Sequence, residues 1–246
     1  MGPGGTGGFI GGRARSACPL IAGWRVVAHV TEPAGGRPRP ATRHAYRGGM
    51  LIFDGAIAGL GTASGTRIVV GMWPRSPFGP VTDVMLERPD GHRILLAPTD
   101  EFAEFLRGEY RFDEVRVAPV LRMRDGRTWM ISTDDLALTF AVGGRPTLGL
   151  ALLAVPRTVA RSRWWARTVN PIARTAMHGV RTRGRTAGGR REWYCAQDLR
   201  HVVSAHARFQ GVELGDLRPV DPPVGFGFSS VPVRPGLVRV LTHIEE

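Results

Sequence analysis

Arg67-Ile-Val-Val-Gly-Met-Trp73, Val81-Thr-Asp-Val-Met-Leu-Glu87 and His92-Arg-Ile-Leu-Leu96 are the stretches whose reading decides the fold. Each is short, rich in apolar and β-branched residues and free of a 3.6-residue period, the pattern of a strand. Pro74 to Pro80 separates the first two as a proline-rich turn. Between the second and third, Arg88-Pro89-Asp90-Gly91 puts Pro where φ is pre-set and Gly where the backbone must be permissive. Together they predict an antiparallel meander.

Working outward, Thr99-Asp100-Glu101 opens a helix: Thr99 can cap it, and the two acids complement its N-terminal dipole. Phe102, Phe105 and Leu106 give that helix one apolar face, and Gly108 marks its end. Glu114 to Leu121, Thr128 to Ser132 and Leu136 to Val142 read as strands, with Arg124-Asp125-Gly126-Arg127 as a hairpin turn. Leu148 to Val155 is an apolar helix stopped by Pro156, and Thr158 to Val169 a second one containing Trp164-Trp165. Pro171 suits the first turn of a third, running to His178. Gly179 to Arg191, with five Arg and four Gly, reads as a mobile loop. Strands resume at Glu192 to Cys195, Val202 to Phe209, Gly225 to Val233 and Leu237 to Ile244.

The expected fold class is α+β, a mostly antiparallel sheet, curved or closed to a half-open barrel, with inserted helices. Strands do not alternate regularly with helices, which disfavours a doubly wound parallel sheet. Residues 1–49 are rich in Gly, Pro and Arg and read as a disordered extension, or as sequence upstream of a start at Met50; residues 50–246 read as a single domain.

The chain has 246 residues and a formal net charge of +12; all 33 of its basic residues are Arg. With no Lys there is no Schiff-base lysine and no Walker lysine. The positive charge is segmental. Residues 136–191 carry eleven Arg and no acid, and residues 1–49 carry seven Arg and one acid, whereas the other two stretches are mildly acidic. Cys18 and Cys195 are too few and too distant for a disulfide framework, which points to a reduced, cytoplasmic protein. The first residues lack an apolar core of signal-peptide length, and no apolar run approaches a membrane span.

Most chemical motifs fail on spacing. Gly59-Leu-Gly-Thr-Ala-Ser-Gly65 suggests a phosphate loop, but a β-branched strand follows where a helix N-terminus is needed, so a plain turn is preferred. Ser64 sits in G-x-x-S-G rather than a nucleophile elbow. His201 and His206, five apart, share neither a helix face nor a strand face, and no metal site is expected. No cofactor motif is present either.

Glu192-Trp-Tyr-Cys195 is more informative. On a strand, Glu192 and Tyr194 share one face and Trp193 and Cys195 the other. The first pair suits a cavity, while the competing reading has Trp193 and Cys195 filling the core and Glu192 paired with Arg. Three functional readings follow. In the first, an apolar anionic small molecule or lipid binds a β-lined pocket through Trp73, Trp164, Arg167, Arg174, Glu192 and Tyr194, beneath the helices of residues 148–178. In the second, Arg157, Arg161, Arg163, Arg181, Arg183 and Arg185 hold a polyanion, above all the inner membrane surface, since no helix-turn-helix, RNP or zinc pattern supports nucleic acid. The third is an enzyme using Glu192, Tyr194 and His201. The plainest alternative is that the Arg of residues 136–191 simply pair with acids elsewhere. No motif attaches the chain to a named family. An acetoacetate-decarboxylase-like or lipocalin-like β-architecture is compatible with this length; the catalytic lysine of the former is absent, so that activity does not carry over.

Overall fold

A computed structural model describes residue 1 and residues 49–245, the side chain of residue 176 excepted. The expected extension at residues 1–49 therefore lies almost wholly outside the described residues. Among those described, strands dominate. β1 (Met50–Thr62), β2 (Arg67–Arg75), β3 (Val81–Glu87) and β4 (Arg93–Ala97) form the antiparallel meander, and α1 (Asp100–Glu109) crosses to β5 (Glu114–Val117), which pairs parallel with β4. A second meander follows: β6 (Leu121–Asp125), β7 (Thr128–Ser132) and β8 (Leu136–Val142). Then come α2 (Thr147–Ala154), α3 (Arg157–Ala160), α4 (Arg163–Ala176) and β9 (Arg183–Arg185). Last are β10 (Arg191–Phe209), β11 (Val212–Glu213), β12 (Leu217–Arg218) and β13 (Gly236–Glu245).

The sheet runs β5-β4-β3-β2-β1-β13-β10-β8-β7-β6 and curls into a half-barrel, an α+β fold. β2 explains why. Its run is apolar on both faces because both are buried. Ile68, Val70 and Met72 pack toward Ile131, Leu138 and Phe140 of the second meander, and Trp73 packs toward Phe102 and Leu106 of α1. The α1 cap is the expected one, Thr99 Oγ1 accepting from the Phe102 N–H.

Several local expectations change. The two strands at 192–195 and 202–209 are one strand of nineteen residues, β10. Irregularities at Ala196/Asp198 and Val202/Ser204 break the side-chain alternation that a period-two reading relies on. Gly59 and Gly61 lie inside β1 rather than in a loop, and they are glycine there because a Cβ would meet Val231 and the Pro219 carbonyl. The turn itself is confined to Ala63–Thr66, with Gly65 at φ +83°. Gly108 lies within α1, which Tyr110 caps, and Pro171 lies inside α4 rather than opening a third helix. Residues 179–191 are not a bare loop, since β9 pairs with β10 and the Tyr194 N–H donates to the Thr182 carbonyl. Residues 225–233 form no strand. The N–H groups of Val224 and Gly225 go to the Ser230 hydroxyl and Glu87 carboxylate instead of a ladder.

Between its stretches paired with β9 and with β8, β10 has one edge without a strand among the described residues. The helices α2, α3 and α4 pack along it. This places the helical segment beside the cavity described next. No helix among the described residues is long and apolar enough to cross a membrane.

Candidate functional site

One face of β1, β2, β10 and β13 lines a cavity of about 180 Å³. Its floor is aromatic. Phe53 meets Trp73 edge-on at 5.6 Å and stacks with Phe105 at 5.6 Å, and Phe102 and Phe105 come from α1. Leu148 and Leu152 of α2 contribute from the helical segment, and the irregular segment from Val224 to Pro232 closes another side. The volume is close to that of engineered apolar cavities of ~150 Å³ that accept benzene. It suits a small ring or short chain, and a long acyl chain exceeds it.

Into this apolar space the strands aim two carboxyls. The alternation of β10 sends Trp193 and Cys195 to the opposite face, against Ala166 of α4, while Glu192 and Tyr194 line the cavity. Glu192 is fully buried and pairs with no Arg among the described residues; its partner is Tyr110, the cap of α1, whose hydroxyl donates to Oε1 at 2.7 Å. The Tyr110 and Tyr194 hydroxyls stand 3.2 Å apart. Among the described residues, Glu192 Oε2 is buried with no partner, and the Thr242 hydroxyl, also lining the cavity, has none either. Burial raises the Glu192 carboxyl to about 8 against the pull of the Tyr110 and Tyr194 hydroxyls, with Glu109 adding repulsion. Near neutral pH it is therefore largely an uncharged acid, whose Oε2 can donate. Burial and the neighbouring Glu192 push both tyrosines well above the ordinary phenol range, so they remain hydroxyls.

Asp83 is the second carboxyl. Burial raises it to about 7, opposed by the Trp73 indole N–H donating to Oδ1 at 3.1 Å. Gly71 makes this hydrogen bond possible: a Cβ there would overlap both Asp83 Oδ1 and Trp73 Nε1.

The residues singled out in sequence divide cleanly. Trp73, Glu192 and Tyr194 line the cavity. Trp164, Arg167 and Arg174 do not. On α4, ~100° per residue puts Arg163, Arg167 and Arg174 in one row, beside an outward row of Trp164, Thr168 and Ile172; Trp164 is 65% exposed. Arg163 and Arg167 instead cover the Trp193 ring, at 5.3 and 5.9 Å. Arg181 is the one Arg lining the cavity among the described residues. Arg161 is committed to Asp54 at 3.0 Å, and Arg145 and Arg190 to Asp198 and Glu109, so part of the acid-free segment does pair with acids elsewhere. Arg157, Arg163, Arg167, Arg174, Arg181, Arg183 and Arg185 make no ion pair among the described residues. His201 is not brought to Glu192: it lies beyond the irregularity at Ala196/Asp198 of β10 and does not line the cavity. Sequence reasoning missed Tyr110, Asp83 and Thr242. The first two carry no motif, and Thr242 is marked only by its place in a strand.

No family model matches the chain, and no curated protein matches it. Among solved structures, the chain is similar to an acetoacetate decarboxylase from Legionella pneumophila subsp. pneumophila str. Philadelphia 1. The sequence identity is 9% and the TM-score 0.38, over 88% of this chain and 90% of that one.

Proposed function

We propose that the protein binds a small, mostly apolar molecule bearing one hydrogen-bonding oxygen in the cavity of Glu192 and Tyr194. One observation carries this reading: Glu192 Oε2 is buried, without a protein partner, in the wall of an aromatic cavity. A buried polar atom without a partner costs about 1–3 kcal/mol, which a ligand carbonyl accepting from the neutral acid recovers. An anionic group on the ligand would meet Arg181 rather than Arg167 or Arg174. The test is thermal unfolding with acetophenone and with ethylbenzene, which differ in the carbonyl. Acetophenone is expected to raise Tm more than ethylbenzene, and the difference to vanish in Glu192→Ala. Equal or absent stabilisation by both would refute the reading.

A second reading is favoured by the outer surface of the helical segment. Leu150, Leu153, Trp164 and Ile172 are 57%, 48%, 65% and 64% exposed, on the same segment as the Arg of α4. Such a surface suits the interface of an anionic bilayer. Flotation with phosphatidylglycerol-containing vesicles, weakened by salt and by Trp164→Ser with Ile172→Ser, is the expected result. Equal flotation with pure phosphatidylcholine would refute it.

A further inference from the structure

The opposite face of the same strands holds a second and larger cavity. Met72, Leu237 and Arg239 line it, whereas their neighbours Gly71, Trp73, Val238 and Val240 line the first. It lies between β1, β2, β10 and β13 on one side and the β6–β7 hairpin on the other, with a volume of about 710 Å³. That falls within the ~300–1,000 Å³ of small-molecule sites.

Its charge is one-sided. Arg122, Arg124, Arg127, Arg145, Arg200 and Arg239 line it, and Asp198 is the one carboxylate that does so among the described residues. Asp198 is already occupied: it accepts from Arg145 at 2.8 and 3.0 Å, with Arg200 at 3.6 Å. Arg239 pairs with Asp54 at 3.0 Å. Arg122, Arg124 and Arg127 have no ion pair among the described residues. Arg124 lies over the Trp129 ring at 4.9 Å, and Arg122 is half-buried, its guanidinium pulled below its usual range by desolvation. A half-buried cation without a counter-ion is costly, and an anion in the groove offsets that cost.

The strands are shaped around this groove. β1 is irregular at Asp54/Ala56 against β2, and β10 at Ala196/Asp198 against β13. Both irregularities meet at Arg239, which pairs with Ala56 on one side and Asp198 on the other. Bulges re-aim side chains, and the one in β10 turns Asp198 and Arg200 to the groove side, where the regular alternation of β13 already places Leu237 and Arg239. Met72, Trp129, Val142 and Leu237 supply apolar wall.

We propose that this groove binds a small organic anion with at least two phosphate or carboxylate groups, gripped by Arg122, Arg124 and Arg127 of the hairpin opposite Arg200 and Arg239. Arg guanidinium forks match either group bidentately. The proposal is independent of the first cavity, which lies on the other face.

The experiment uses the full chain, with pyrophosphate and tricarballylate as probes and sodium chloride at matched ionic strength as control. Saturable stabilisation by at least one probe is expected, with affinity lowered roughly tenfold or more in Arg122→Gln/Arg127→Gln. Response to pyrophosphate alone assigns a phosphorylated ligand, and response to tricarballylate alone a polycarboxylate. Without probe, the variant is expected to melt no lower than the parent, because it loses a half-buried unpaired charge; a merely structural role predicts the reverse. If that variant fails to fold, Arg124→Gln/Arg127→Gln, both exposed, takes its place. Stabilisation no greater than with sodium chloride overturns the proposal. So does stabilisation kept in full by the variant, since the anion then sits on other arginines.

Discussion

The Tyr110 hydroxyl donates to Glu192 Oε1 at 2.7 Å, tying the end of α1 to β10 across 82 positions of sequence. The contact closes the cavity between helix and sheet and leaves Oε2 as the only carboxyl oxygen of Glu192 open to a ligand. Tyr110→Phe removes the donor and leaves both oxygens unpaired. A loss of about 1–3 kcal/mol in denaturant titration is expected. Tyr110→Phe combined with Glu192→Leu should recover part of it, because the buried carboxyl is gone and only the Tyr194 hydroxyl, which faced Tyr110, is left as an orphan.

The buried carboxyls set a pH dependence. Glu192 and Asp83 have folded-state values raised to about 8 and about 7. Between its ordinary range and the raised value, each binds more protons folded than unfolded, so stability falls as pH rises through that window. Above the ordinary histidine range the parent is therefore expected to lose stability up to about pH 8, while below it His243, lowered by burial, contributes in the opposite sense. Glu192→Gln should flatten the upper part of this slope, and Asp83→Asn the middle. A parent stability that rises from about pH 7 to pH 8 would contradict the Glu192 assignment, and a slope unchanged by Asp83→Asn would contradict the other. Asp54 works in the other direction. Burial pushes it up, but Arg161 and Arg75 outweigh burial and lower it, so its contribution is present at neutral pH and lost on strong acidification.

Thr242 offers a test of the cavity wall that does not depend on charge. Its hydroxyl is buried with no partner. Thr242→Val keeps the shape and removes the orphan, so the empty protein is expected to be unchanged or up to about 1 kcal/mol more stable. A clear destabilisation in thermal unfolding would mean that the hydroxyl is satisfied.

Gly71→Ala probes the Trp73–Asp83 hydrogen bond. The added methyl must displace either side chain. The expected cost is about 1–3 kcal/mol, with a shift in indole fluorescence as Trp73 moves. Wild-type stability and spectrum would show that Trp73 and Asp83 do not cross there.

How much of this was legible in the sequence differs from element to element. The 67–96 meander, the Thr99 cap and the Gly126 hairpin were readable because each rests on a local rule: a β-branched run, a hydroxyl before a helix, a glycine at positive φ. The alternation that separates Glu192 and Tyr194 from Trp193 and Cys195 was equally local. The continuity of β10 was not, since its two irregularities reset the alternation on which such a reading depends.

The sequence by itself determined a strand-rich α+β chain, a lysine-free chemistry and an acid-free arginine segment, because composition and short-range periodicity are properties of neighbours along the chain. Only the tertiary structure decided what the charges do. It brought Tyr110 to Glu192, set Asp83 under Trp73, tied Arg161 to Asp54 and gathered Arg122, Arg127, Arg200 and Arg239 around one groove. Ionisation and hydrogen bonding depend on what stands within a few ångströms and on how much water is excluded, and the curl of the sheet sets both.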